Sequence, residues 1–190
     1  MQVLKFLLKA LLFFVIAFFV GGYTIPDSWT ITRDLTIKAS PEIIYPYVSH
    51  FKEWPIWSPW NPSKDATLQY TYTGPETGVG AKQAWTSSKM GSGWMQCTAA
   101  NQQTGISYDL FIKMRWIQST IHGNIAFTPI KNNRTKVTWT DKGESNGNYA
   151  KRWMSFLFKP MLGNDIEAAL AGLKKIAEGS QGTNHPGATQ

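Results

Sequence analysis

The chain opens on an unbroken apolar stretch. Residues 10–20 (ALLFFVIAFFV) place Leu11, Leu12, Phe13, Phe14, Val15, Ile16, Ala17, Phe18, Phe19 and Val20 in sequence without one polar interruption. Lys5 and Lys9 precede it; Gly21, Gly22 and then Pro26 follow. A helix needs ~20 residues, at ~1.5 Å rise each, to cross a bilayer. Residues 3–25 supply that length if the two lysines snorkel toward the headgroups. Two readings stay open: a signal-anchor that remains in the membrane, or a secretory signal cut after Gly22. The anchor is favoured, because the apolar stretch continues on both sides of its centre and no Ala-x-Ala follows it. A buried helix of a soluble domain is disfavoured, since a helix apolar all round needs cover on every side. Lys5, Lys9 and the terminal amine keep the N-terminus cytoplasmic, which puts the rest of the chain across the membrane.

Past Pro26 the period changes to two. In residues 29–38 (WTITRDLTIK), Ile31, Leu35 and Ile37 share one parity and the threonines the other, which predicts a strand. Ser40-Pro41-Glu42 starts a helix, with Pro41 at its first position and Glu42 near its positive end. Residues 51–60 (FKEWPIWSPW) read as a Trp/Pro-rich turn. It either packs one end of a sheet or forms a rim that dips into a bilayer interface, where Trp is favoured. Six further strands follow between residues 66 and 144, divided by turns such as Gly74–Gly78 and Lys131-Asn132-Asn133. Short turns between successive strands predict an antiparallel meander.

After Gly147 the period becomes helical. Tyr149, Trp153, Phe156 and Leu157 form a first segment that Pro160 is expected to end or kink. Leu162, Ile166, Ala169, Leu170, Leu173 and Ile176 form a second, amphipathic one. The break at Pro160–Gly163 is a candidate hinge. Residues 179–190 (GSQGTNHPGATQ) read as a loose tail. The expected domains are therefore an anchor at 1–25, one folded domain at 26–178 and a tail at 179–190. One antiparallel sheet with an apolar face needs a cover, and the final helix is the element long enough to provide it. The fold class is α+β: a curved antiparallel sheet gripping a long C-terminal helix, with room between them wherever side chains do not fill it.

Composition narrows the chemistry. The 190 residues are 43% hydrophobic and 16% charged, which excludes an extended disordered chain. A single cysteine, Cys97, excludes an internal disulfide framework and a cysteine-rich zinc site. His50, His122 and His185 are far apart, and neither a nucleophile elbow nor an intact dinucleotide motif is present. No metal, cofactor or catalytic set is expected. Asp109, Asp141 and Glu144 lie in or near strands, and any of them inside a cavity would have a shifted pKa. The net charge of +7 is scattered. That argues against nucleic acid as a partner and suits a surface near anionic headgroups.

Five segments carry a family resemblance: IKASPEIIY at 37–45, FKEWPIWSPW at 51–60, YTGPETGVG at 72–80, TKVTWT at 135–140 and LGNDIEAALAGLK at 162–174. Together they resemble the helix-grip fold of the START-related SRPBCC superfamily, in its polyketide cyclase/dehydrase and lipid-transport-like branch. The resemblance implies a cavity for a hydrophobic small molecule or lipid. A resemblance to bacterial members implies the inner membrane, with the domain on its periplasmic or outer face. Trp85, Trp94, Tyr108, Trp116, Trp139, Trp153, Phe156, Met161, Ile166 and Leu170 are the candidate lining, because ligand pockets are mostly aromatic and aliphatic. Binding without catalysis is the first expectation. A cyclase or dehydratase in the same cavity and a partner-binding module with a filled core are the alternatives, since fold alone does not choose.

Overall fold

A computed structural model of the chain describes residues 2–115 and 117–180. Helix α1 (Gln2–Thr24) stands apart from a seven-stranded sheet: β1 (Ser28–Ile37), β2 (Gln69–Thr73), β3 (Lys82–Ser87), β4 (Gly91–Asn101), β5 (Gly105–Met114), β6 (Ile117–Ile130) and β7 (Arg134–Glu144). All pairings are antiparallel, in the order β1-β7-β6-β5-β4-β3-β2. Only β1 leaves the meander, pairing with the last strand. Between β1 and β2 lie α2 (Pro41–Ser49) and the short α3 (Trp54–Trp57); α4 (Tyr149–Gly179) closes the chain. The Asn132-Asn133 turn is left-handed at both residues (φ 66° and 49°), which a tight hairpin requires.

The sheet curls around α4, but the space between them is filled over only one half. Ile166, Ala169, Leu170, Leu173 and Ala177 of α4 are buried against Ile37, Ile44, Val48, Trp57 and Val137. Trp54 and Trp57 belong to this core, at 4% exposure each, so the bilayer-rim reading of that segment is wrong. Their indole nitrogens donate to the Val48 and Tyr47 carbonyls, at 2.9 and 3.1 Å, which satisfies the donors that burial would otherwise orphan. Ion pairs hold this half of α4 to its neighbours: Arg33 to Glu167 and Lys64 to Asp165 at 2.9 Å.

The helix itself differs from the sequence expectation. It runs unbroken through Pro160 for 31 residues. The pyrrolidine deprives only the Phe156 carbonyl of its donor, and the helix continues because the turns on both sides are held by packing. Of the expected tail, residues 181–190 lie outside the described residues.

Candidate functional site

Under the first half of α4 the sheet curves away and leaves a cavity of about 370 Å³. Its wall is almost wholly apolar: Trp29 and Ile31 of β1, Met95 of β4, Leu110 and Ile112 of β5, and Met154, Phe158 and Leu162 of α4. The exposed lining residues Lys89, Glu144, Phe158, Lys159 and Met161 mark its mouth, between α4, the β3–β4 turn and the end of β7.

The floor is shaped by inward-facing glycines. A Cβ on Gly123 would lie 2.0 Å from Cζ of Tyr108, on Gly143 2.5 Å from the Trp29 ring, and on Gly93 2.4 Å from the Trp85 ring. Each glycine lets an aromatic ring from an adjacent strand lie flat across the sheet. At Gly123 this has a chemical result. Gly123 pairs with Tyr108 on one side and Asp141 on the other, so the Tyr108 ring spans β6 and reaches β7. The Tyr108 hydroxyl donates to Asp141 Oδ1 at 2.7 Å and accepts from Trp139 Nε1 at 2.8 Å. Trp139 Nε1 also donates to Asp141 Oδ1, at 3.3 Å.

Asp141 is therefore a carboxyl in an apolar wall, 3% exposed. Burial raises its pKa to about 6, against the opposing effect of the bonds from Tyr108 and Trp139. Burial, with the Asp141 charge beside it, pushes the Tyr108 hydroxyl up as well. Both hydrogen bonds to Asp141 fall on Oδ1. Two more buried lining atoms, Ser58 Oγ and Gln83 Oε1, have no hydrogen-bond partner among the described residues. Buried polar groups normally have one. The cavity thus offers a mostly apolar surface with buried polar groups at Asp141, Ser58 and Gln83, and charged side chains such as Glu144, Lys151 and Lys159 elsewhere in its lining.

Of the expected lining residues, Trp85, Tyr108, Trp139 and Met161 line this cavity. Five do not. Trp94 faces the outer side of the sheet, stacked on Phe111 with Lys82 over its ring, because it has the opposite parity to Met95 and Cys97. Trp153 packs on α1, against Phe18. Phe156 is 60% exposed. Ile166 and Leu170 lie in the filled half of the core. Trp116 lies outside the described residues. The sequence reading missed Trp29, Ser58 and Gln83 as lining and left Asp141 unplaced. A period-two parity count from Ile31 reaches Trp29, and inward glycines such as Gly123 signal a ring lying across the sheet. Among the described residues, no three His, Cys, Asp or Glu side chains converge to hold a metal.

Solved structures share this architecture at low identity. Norcoclaurine synthase from Thalictrum flavum, in complex with dopamine and hydroxybenzaldehyde, superposes with a TM-score of 0.56 at 13% identity, over 83% of this chain and 89% of its own. The Aha1 protein of Colwellia psychrerythraea gives 0.52 at 20% identity, over 79% and 96%. A hypothetical protein of Helicobacter pylori gives 0.59 at 5%, over 78% and 88%. None of the curated proteins matches in sequence. The family model for polyketide cyclase/dehydrase and lipid transport matches residues 28–178, from the first residue of β1 to the last turn of α4. A match spanning every strand of the sheet and the helix it grips assigns the chain to the polyketide cyclase/dehydrase and lipid transport family.

Proposed function

We propose that the chain is a membrane-anchored binding protein for a hydrophobic small molecule or lipid, held in the half-open cavity without being chemically changed. The observation that carries this reading is the cavity: about 370 Å³, at the compact end of ligand pockets, and with a mostly apolar surface into which Asp141, Gln83 and Ser58 bring buried polar groups. Such a wall favours a mostly hydrocarbon guest with one or two hydroxyl or amide groups. Burial of its apolar surface supplies the affinity, on the order of 25 cal/mol per Å² before the costs of association. In this reading residues 1–25 are the anchor, 26–178 the binding domain and 179–190 a tail. The N-terminus is cytoplasmic, and the domain stands on the periplasmic or outer face of an inner membrane.

Retention of α1, against cleavage after Gly22, is supported by its fit to the domain. Trp153 and Tyr149 pack where Gly21 and Gly22 lack side chains, and Arg152 donates to the Gly22 carbonyl at 3.1 Å. A cleaved signal has no need of such complementarity.

Native mass spectrometry of the full chain, followed by extraction of bound molecules, tests the reading. A reproducible co-purified hydrophobic species is expected. Clean apo protein that takes up nothing from lipid mixtures overturns it. One observation favours a second reading, an enzyme of the cyclase or dehydratase type: the Tyr108 hydroxyl and the Asp141 carboxyl sit 2.7 Å apart in the cavity wall. A bound species converted by the native chain but not by Tyr108→Phe would select that reading.

A further inference from the structure

Two features of the first half of α4 belong together. Phe156, Leu157, Phe158 and Met161 of α4 are all exposed, at 60%, 63%, 40% and 54%. Three are consecutive, so they spread over about half the helix circumference rather than one narrow stripe, and among the described residues they remain exposed although Trp153 meets the Phe156 ring edge-on. The second feature is how α1 is attached to this same segment. Trp153 Nε1 donates to the Phe18 carbonyl at 3.0 Å, and its ring stacks on Phe18. Four residues earlier, Tyr149 fills the space beside Gly22 and packs on Phe19. Arg152 ties the junction, pairing with Asp27 at 3.1 Å.

These contacts set a depth. Helix α1 is 23 residues, about 34 Å at ~1.5 Å per residue, against a hydrocarbon core of ~30 Å. Counted from Gln2, about twenty residues bring the helix to the edge of the hydrocarbon at Gly21 and Gly22, beside Tyr149, and Trp153, bonded to Phe18, sits within about one turn (~5 Å) of that boundary, in the zone that Trp favours. The contacts also run in opposite senses along the two helices, Tyr149 meeting Gly22 and Trp153 meeting Phe18. Helix α4 therefore heads toward the bilayer over its first turn, and the exposed apolar side chains follow within the next two. Lys151 and Lys159 flank them, within reach of anionic headgroups, where each cation gains about 1 kcal/mol.

We propose that residues 153–161 of α4 are seated in the headgroup–acyl layer of the membrane that α1 spans, so that the cavity mouth opens onto lipid. The proposal rests on the anchored-binder reading above and adds the route: Met154, Phe158, Lys159 and Met161 belong to the cavity wall as well. A guest enters from the bilayer without crossing water.

The test places an environment-sensitive dye at Leu157→Cys in the full chain, in phosphatidylcholine–phosphatidylglycerol nanodiscs holding one copy each. Native Cys97 is buried and supplies the unlabelled background. Phe14→Cys reports the middle of α1 and Thr71→Cys a distant exposed strand. Expected is a blue-shifted Leu157 label that loses most of its emission to a lipid carrying a nitroxide high on its acyl chain, while the Thr71 label is unaffected. A water-like, unquenched Leu157 label beside a quenched Phe14 label overturns the docking and leaves the anchor standing. If neither is quenched, anchor and docking fall together. If Leu157 is shielded only in discs holding two copies, and without nitroxide quenching, a second copy covers the segment and the proposal is wrong. Ligand uptake is scored separately by mass spectrometry, so loss of the carrier reading is told apart from loss of the docking.

Discussion

Replacing Asp141 by Asn should make the protein more stable at neutral pH and change the sign of no other interaction. The carboxyl is 3% exposed and its pKa rises from 3.8 unfolded to about 6 folded, with burial the first cause. The folded state therefore holds the proton more tightly than the unfolded state. Between pH 3.8 and 6 it binds more protons, so stability falls as pH rises through that window, and the full penalty is present above it. A shift of about two units corresponds to roughly 3 kcal/mol at ~1.36 kcal/mol per unit. Asn keeps an acceptor oxygen for Tyr108 and Trp139, and the rise to about 6 already includes what those two bonds return to the charged carboxylate. The net expectation is a gain of up to about 3 kcal/mol at pH 8 and none, or a small loss, at pH 4. Urea unfolding of both full chains in detergent micelles, followed by tryptophan fluorescence across that range, reads it directly. Asp27, Glu42 and Asp65 have lowered pKa values and impose the opposite slope in acid, but equally in both proteins, so the difference curve isolates Asp141. Parallel stability profiles from pH 4 to pH 8 would refute the claim that this carboxyl is buried in an apolar wall.

Other perturbations read other parts of the site. Gly123→Ala puts a methyl 2.0 Å from the Tyr108 ring, so it should lower stability by about 1–3 kcal/mol and perturb near-ultraviolet circular dichroism; an unchanged urea midpoint would mean that Tyr108 does not lie across β6. Leu110→Trp fills the cavity from β5, and should abolish uptake and co-purification of a hydrophobic guest with little change in thermal midpoint; undiminished uptake would place the guest elsewhere. Pro160→Ala returns a donor to the Phe156 carbonyl and should raise the thermal midpoint, since Pro in a helix interior is disfavoured by ~3 kcal/mol against Ala. It should also slow uptake and release; unchanged rates would remove the gate at this position.

The alternating strands, the turns and the presence of a cover helix were legible in the chain, because each rests on a local period or a local backbone demand, whereas the passage of that helix through Pro160 was not. Ile31, Leu35 and Ile37 mark β1 by parity alone, and Asn132-Asn133 marks a hairpin by its tolerance of positive φ. The lining was legible only in part. Trp94 was separable from Met95 and Cys97 by parity, and an aromatic count without that parity put it on the wrong face. Trp153 was not separable by any local rule, since its partner is Gly21, far away in sequence. Ile166 and Leu170 have the pattern of lining residues and of core residues alike. What decides between the two is how far the sheet curls from α4 at that level, and no single segment encodes that curvature. Asp141 reads as one more polar residue near a strand end until Gly123 brings Tyr108 across to it.

One helix joins the two halves of the domain, and its attachments differ from end to end. Toward its C-terminus Ile166, Leu170 and Leu173 are fully buried, and Glu167 and Asp165 are paired with Arg33 and Lys64. That half has no room to move without opening a packed core, at several kcal/mol for each large side chain withdrawn. Toward its N-terminus the helix faces the cavity on one side and α1 on the other. Its fixed points there are Trp153 on Phe18, Tyr149 on Phe19 and Arg152 on Gly22 and Asp27. Pro160 falls between these regions, where one backbone bond is already missing. On the α4 side a mouth that widens does so by displacement of the first three turns, and those turns are tied to α1. In a membrane α1 cannot shift far from its depth without exposing apolar side chains to water. In the anchored-binder reading proposed above, the tilt of α1 and the width of the mouth are then two readings of the same coordinate.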